Sequence, residues 1–323
     1  MSPFKFCNYS SIIVALLLSF ASSNAQVVMY VDPSGNGQFS TIQSAINSVP
    51  SNNKNWIYIN MKEGVYKEQV KIPYDKPFIY LRGQNKGKTM VVWDAHQGID
   101  KSATFISEAD NILVRSITFM NSYNYPLGEN KNPLKQAPAA MIQGDKCAFY
   151  DCDFMGIQDT LWDVSGRHLF KFCTIQGAVD FIFGNGRSIY EGCTLSVVAE
   201  SVDVTGFITA QGRGSSHEDS GFVFKDCQII GRGKTFLGRP WRPYARVIFY
   251  NSYMSGIITP KGWDPWRTQQ TNTITFVESN CHGPGANSAR RVKWMKSLSQ
   301  VELELFTSLS FIDDHGWLKT IKF

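Results

Sequence analysis

Two aspartates stand at equivalent places in consecutive copies of one pattern, Cys152-x-Phe154-x-Gly156-x-x-Asp159 and Cys173-x-Ile175-x-Gly177-x-x-Asp180, offset by 21 residues. An offset of that size fits one turn of a solenoid. Equivalent positions on neighbouring parallel strands lie about 4.8 Å apart, so each carboxylate perturbs the proton affinity of the other. Polar residues of particular types surround the pair. Gln158 immediately precedes Asp159, Gln136 lies upstream in Gln136-Ala137-Pro138-Ala139-Ala140, and Arg239 sits in Leu237-Gly238-Arg239-Pro240-Trp241. The set suits acyl chemistry. One carboxylate attacks an ester carbonyl, the other protonates the departing alkoxide, and two glutamine amides donate hydrogen bonds to the oxyanion. The arginine holds the nucleophile ionised, which pushes the two acids apart in pKa and divides their labour. Trp162 and Trp241 offer faces on which sugar rings can stack. Asp and Gln at solenoid corners also serve as backbone-bonding ladder residues. Five such residues meeting at a repeat offset favour catalysis over that reading.

The elements that must position these groups repeat as well. An aromatic residue precedes each Cys by three places and an apolar one follows it by two, in Phe149/Cys152/Phe154, Phe170/Cys173/Ile175, Tyr190/Cys193/Leu195 and Phe224/Cys227/Ile229, with Phe249/Ser252/Met254 as a variant. The steps are 21, 20, 34 and 25 residues, so the third carries an insertion. Gly, Asn, Asp and Ser corners separate short runs of Val, Ile, Phe and Tyr, which reads as strands and turns. The expected fold is all-β, a right-handed single-stranded parallel β-helix. A solenoid must cover its ends. Ile42, Ala45, Ile46 and Val49 form a helical stripe behind Ser40 and Thr41, an N-terminal plug. Ser299-x-x-Glu302 makes a capping box ahead of a helix whose Leu305 and Leu309 should close the last turn or pack along the flank. The segment 311–323 has no assignment, and the Pro-containing loop 123–138 reads as a surface excursion.

Residues 1–25 read as a secretory signal peptide, with Lys5, an apolar stretch from Ile12 to Phe20, and a small-residue cleavage site at Ser23-Asn24-Ala25. The stretch is shorter than the about 20 residues a membrane span needs. One domain, 26–323, is expected, because stacked rungs add length without enlarging a core. Six cysteines follow the leader, Cys147, Cys152, Cys173, Cys193, Cys227 and Cys281, an even number that suits an oxidising compartment. Loss of Lys5 takes the formal charge from +5 to +4. That is a mild bias toward acidic partners, and without a basic cluster nucleic acid is not an expected ligand.

The chain resembles the pectinesterases (pectin methylesterases) through Gly64-Val65-Tyr66-Lys67-Glu68, the Gln136-Ala137 block, Gly156-Ile157-Gln158-Asp159-Thr160-Leu161-Trp162, Asp180-Phe181-Ile182-Phe183-Gly184 and Leu237-Gly238-Arg239-Pro240-Trp241, in family order. The resemblance runs from about Val31 to Leu318 and is nearest the plant branch. It implies hydrolysis of the C6 methyl esters of galacturonate in pectin (homogalacturonan), with Asp180 as nucleophile and Asp159 as acid, then base. Gln136 and Gln158 would form the anion hole, Arg239 would orient Asp180, and Trp241, Phe183 and Trp162 would line the sugar cleft together with Gln136 and Arg239. No metal or organic cofactor is implied. The same resemblance implies a Cys193–Cys227 disulfide, leaves the other four cysteines unassigned, and points to a secreted cell-wall monomer without the inhibitor-like pro-region of many plant relatives. A separate inhibitor protein is then a possible partner. Ile157, Trp162 and Pro138 depart from the family pattern, and Pro138 puts the presentation of Gln136 in question. The rival readings are a chain-cleaving polygalacturonase or pectate lyase, since carboxylates about 5 Å apart also suit a retaining glycosidase, and a non-catalytic pectin-binding β-helix.

Overall fold

In the computed structural model the short apolar runs become strands that stack on their counterparts one turn away. The structure describes residues 27–321, so the expected signal peptide lies outside the described residues. Three parallel sheets of ten, eight and seven strands run along a β-helix. Repeat positions fall in register: Phe149 faces Phe170, then Tyr190, Phe224 and Phe249 follow. Successive rings of that column lie 5.0, 4.6, 4.6 and 4.6 Å apart. All five are fully buried, so the column forms the spine of the core. Phe154, Ile175, Leu195, Ile229 and Met254 align beside it on the next sheet.

Between the two columns each rung turns through a left-handed residue: Asp151, Phe172, Gly192, Asp226 or Asn251, with φ of 49–62°. Short polar side chains and glycine tolerate that region. Phe172 is the exception, with its ring 59% exposed. It lies over the next corner, where a Cβ on Gly192 would meet it at 2.7 Å. Only glycine fits both the dihedral and the ring.

The cysteine after each corner points inward. Cys152, Cys173, Cys193 and Cys227 are buried, and all six described cysteines are free. The expected Cys193–Cys227 disulfide is therefore not formed. In-register residues of parallel strands sit about 4.8 Å apart, wider than the roughly 3.5–4.5 Å a disulfide allows between its Cβ atoms. The two thiols stay in side-chain hydrogen-bond contact, and the Cys193 thiol also meets the Phe170 carbonyl at 3.3 Å and the Cys227 thiol the Tyr190 carbonyl at 3.2 Å.

The N-terminal plug is a helix over Ile42–Ser48, capped by Thr41 accepting from Ser44 N, with Ile42, Ala45 and Ile46 in the core. Glu68 completes the cap. Its carboxylate accepts from Ile42 N at 2.8 Å and Gln43 N at 2.9 Å, satisfying two donors that a helix start leaves open. The C-terminal helix spans Gln300–Thr307 with both limbs of the Ser299/Glu302 capping box. Its buried face is not the expected one: Leu305 is 64% and Leu309 45% exposed, while Leu303 is buried. Leu303 joins Phe311, Ile312 and Trp317 on an apolar stripe of the ten-stranded sheet, made by Tyr80, Leu113, Ala148, Leu169, Ile189, Val223, Ile248 and Val277. Those sheet residues point away from the solenoid interior and need a cover. The helix and the 3-10 turns Leu309–Phe311 and Trp317–Thr320 supply it along the flank.

Candidate active site

The seven-stranded sheet carries the chemistry. Across it, Ile106, Met141, Trp162, Phe183, Ala210 and Arg239 occupy one row, each in register with the next. Just before that row the backbone bridges Gln136 to Gln158 and Gln158 to Val179. Asp159 and Asp180 are therefore adjacent, about one strand spacing apart. Both stand in the left-handed region, with φ of 61° and 48°. The repeat glycines allow this arc, since a Cβ on Gly156 would meet Thr160 Oγ1 at 2.6 Å and one on Gly177 would meet Phe181 Cβ at 2.2 Å. The spacing Gly-x-x-Asp is thus a geometric requirement of the corner that presents each acid.

The two acids have different partners. Arg239 forks onto Asp180, with Nε donating to Oδ1 at 2.8 Å and an Nη to Oδ2 at 2.6 Å. Gln136 Nε2 donates to Asp159 Oδ2 at 2.6 Å. Asp159 is 4% exposed and Asp180 7%. Burial, then the charge of Asp180, push Asp159 up to about 8, with Gln136 and Arg239 opposing. Burial also raises Asp180, and there the bonds and charge of Arg239 oppose it. The two carboxyls are thus held differently, Asp159 raised by burial beside a like charge and Asp180 opposed in its rise by the arginine fork. Such asymmetry separates an acid from a nucleophile.

A family model for pectinesterase matches residues 27–315. The chain belongs to the pectinesterase family. Probable pectinesterase 29 of Arabidopsis thaliana is 52% identical over 301 residues, covering 92% of this chain and 90% of that protein. Among solved structures, the pectin methylesterase from carrot superposes with a TM-score of 0.86 at 31% identity, covering 94% of this chain and 98% of that one. The pectin methylesterase from Aspergillus niger in deglycosylated form gives 0.80 at 27% identity, over 93% and 98%. The enzyme is accordingly a pectinesterase in a parallel β-helix.

The remaining predicted residues of this pectinesterase collect at the same place. Trp162 and Phe183 stack at 5.4 Å with planes 19° apart, and Phe183 meets Trp241 edge-on at 6.1 Å. Phe183 is only 4% exposed and Trp241 43%, so Phe183 is the middle layer and Trp241 the open platform. Gln158 makes no side-chain hydrogen bond among the described residues, leaving its amide available, whereas Gln136 is engaged by Asp159. Pro138 does not loosen the segment: its carbonyl accepts from Thr104 N and Asn121 Nδ2, both at 3.2 Å. Ile157 is 2% exposed and is a core residue.

Sequence reasoning missed two residues beside Arg239. Its guanidinium carbon lies 4.0 Å from the Phe207 ring and 4.0 Å from the Trp266 ring. A cation held between two aromatic faces is attracted by both ring quadrupoles, which offsets its lost hydration and keeps its fork aimed. Phe207 is itself braced by Phe236 at 5.4 Å. We predict that Trp266→Ala lowers kcat about tenfold with a smaller change in KM. As Arg239 loosens, the alkaline limb set by Asp159 moves up in pH, and Trp266→Phe restores both. Steady-state kinetics across pH check this, and a limb that stays in place would reduce Trp266 to packing.

Proposed function

We propose that this enzyme hydrolyses the C6 methyl esters of galacturonate in pectin, with Asp180 as nucleophile and Asp159 as general acid and base. What carries the reading is the asymmetric pair, an arginine fork on one carboxylate and a raised proton affinity on the other. A carboxylate oxygen of Asp180 attacks the ester carbon. The oxyanion formed takes hydrogen bonds from the amides of Gln158 and Gln136. When the carbon–methoxy bond breaks, the proton on Asp159 passes to the leaving oxygen, giving methanol and an anhydride between Asp180 and the sugar. Asp159, now a carboxylate, draws a proton from water as that water attacks the sugar carbonyl. Cleavage of the anhydride returns ionised Asp180 and protonated Asp159, and leaves a galacturonic acid.

Gln136 has a part in both states. In the resting site it bonds Asp159, and turning to the oxyanion requires giving up that 2.6 Å contact. Gln158 has no such competing bond. Gln158→Ala is expected to lower kcat about 10²-fold or more, and Gln136→Ala less, because it also removes a bond that favours ionised Asp159. Pre-steady-state methanol release by the two variants reads the difference. We further infer secretion to the cell wall as a single-domain monomer, where a separate inhibitor protein is a partner open to pull-down. Incubation with highly methylated pectin should release methanol without new reducing or unsaturated ends. Chain scission without methanol would favour a polygalacturonase or lyase, and binding without either product a silent pectin-binding protein.

A further inference from the structure

The last rungs of the solenoid enclose a hollow that the chemistry above does not use. It has a volume of about 250 Å³ and opens between Lys234, Thr259, Asn287 and Arg290. Ile258 bridges Thr235, Thr235 pairs with Gly206, and Phe207 N donates to Ala178 O. The hollow therefore begins three rungs beyond the one that carries Asp180, or roughly 14 Å along the solenoid. None of its lining residues belongs to the site around the acids.

Two turns make its walls, and a buried ion pair clamps them together. One is the turn closed by Ile258 N donating to Ser255 O at 3.4 Å, the other the 3-10 turn Pro284–Ala286. They approach closely because Gly285 has no side chain, since a Cβ there would meet Ser255 O at 2.1 Å. Arg291 spans both. Its side chain is 3% exposed and paired with Glu278 at 2.8 Å, and its guanidinium donates to the carbonyls of Thr259 at 3.3 Å, Pro260 at 3.2 Å and Gly285 at 2.5 Å. The frame is thus fixed and its own charge is balanced.

The groups left facing the hollow are not balanced. Among the described residues Lys234 and Arg290 are exposed and make no ion pair, and no acid lines the hollow. Thr259 Oγ1 is buried without a hydrogen-bond partner. Asn287 Oδ1 accepts from Ala289 N at 3.0 Å, and its Nδ2 has no partner among the described residues. A buried hydroxyl left unpaired costs free energy, so its place beside two uncompensated cations points to a ligand that carries negative charge and accepts hydrogen bonds.

We propose that this hollow binds a free tetrahedral oxyanion of the phosphate or sulfate class, with Lys234 and Arg290 supplying charge and Thr259 Oγ1 and Asn287 Nδ2 supplying further hydrogen bonds. Four donor side chains from three stretches of chain suit an anion with acceptor oxygens on every side better than a planar carboxylate carried on a polymer. The bound anion ties the turn at 255–258 to the segment 284–290 and so stabilises the last rungs. The assignment goes beyond the esterase reading and does not depend on it.

The test titrates inorganic phosphate into the unmodified enzyme by calorimetry at constant ionic strength, with chloride as the balancing anion so that general screening is unchanged. One saturable site is expected. Arg290→Gln and Lys234→Gln each weaken it about tenfold, the scale of a charge-assisted hydrogen bond. Lys54→Gln, which alters an exposed lysine at the opposite end of the solenoid, leaves it unchanged. Thermal midpoints give a second reading, because a ligand that binds only the folded chain raises them. Thr259→Val is at least as stable as the unmodified enzyme in chloride, having lost an unpaired hydroxyl, yet gains less from phosphate. Absence of a saturable site, or an affinity unmoved by both Arg290→Gln and Lys234→Gln, overturns the proposal. So does tighter binding of an acid oligogalacturonate there, which would make the hollow a polymer contact. Methanol release from pectin is read separately, so failure here leaves the esterase reading standing.

Discussion

Asp180→Asn is expected to cut methanol release by at least about 10⁴-fold, the scale on which removal of a nucleophile is measured, with polymer binding largely retained. Asparagine keeps the volume and one acceptor for Arg239, so the fork of 2.8 and 2.6 Å is weakened and the pocket does not collapse. What disappears is the anionic oxygen that attacks the ester. A second consequence follows from charge. Asp180 is the second-largest cause that raises Asp159, after burial, so removing its charge should bring the Asp159 carboxyl down from about 8. Methanol release by the purified variant at a rate near that of the unmodified enzyme would reject the nucleophile assignment.

Asp159→Asn is the second large effect, a loss of about 10²- to 10⁴-fold in kcat for removal of a general acid–base group, accompanied by a change in pH dependence. In the unmodified enzyme the acid form of Asp159 is the active one in free enzyme, so kcat/KM falls as pH rises through about 8. The variant lacks that limb. The same group also sets a stability trend of definite sign. Its folded pKa lies above the unfolded value, so the folded state binds the extra proton. Its contribution is therefore full at pH below about 4 and is lost as pH rises toward 8. The loss is on the order of a few kcal/mol for a shift of this size. Asp159→Asn should thus be less active yet more stable than the unmodified enzyme near pH 8, with the gap closing toward pH 4. Urea midpoints at the two pH values measure it, and a gap that does not change with pH would contradict the buried-acid account.

Much of this architecture is written locally in the chain. The Phe149, Phe170, Tyr190, Phe224 and Phe249 column is visible because a solenoid repeats its contacts at nearly constant intervals, so spacing alone reports register. Asp159 and Asp180 are legible for the same reason. Trp266 and Phe207 are not, because they reach Arg239 from a loop and from an outward strand position that share no offset with it. The buried side of the C-terminal helix is not legible in the sequence, since its partner, the outer stripe from Tyr80 to Val277, is assembled one residue per rung and has no signature in any short window. The free thiols of Cys193 and Cys227 reflect a third limit. Spacing brings two side chains to neighbouring rungs, while bond formation depends on the separation of their Cβ atoms. Gln136 shows how partner choice escapes sequence as well, since an amide beside two acids can serve an oxyanion or, as in the resting site, a carboxylate.

The division of labour between the two acids is tested most directly by following the ¹³C carboxyl resonances of aspartate-labelled enzyme from pH 4 to pH 9, unmodified and as Asp159→Asn. One carboxyl titrating near 8, and missing from the variant, is the expected result. Titration of every aspartate below about pH 5, the ordinary carboxylate range, would contradict it.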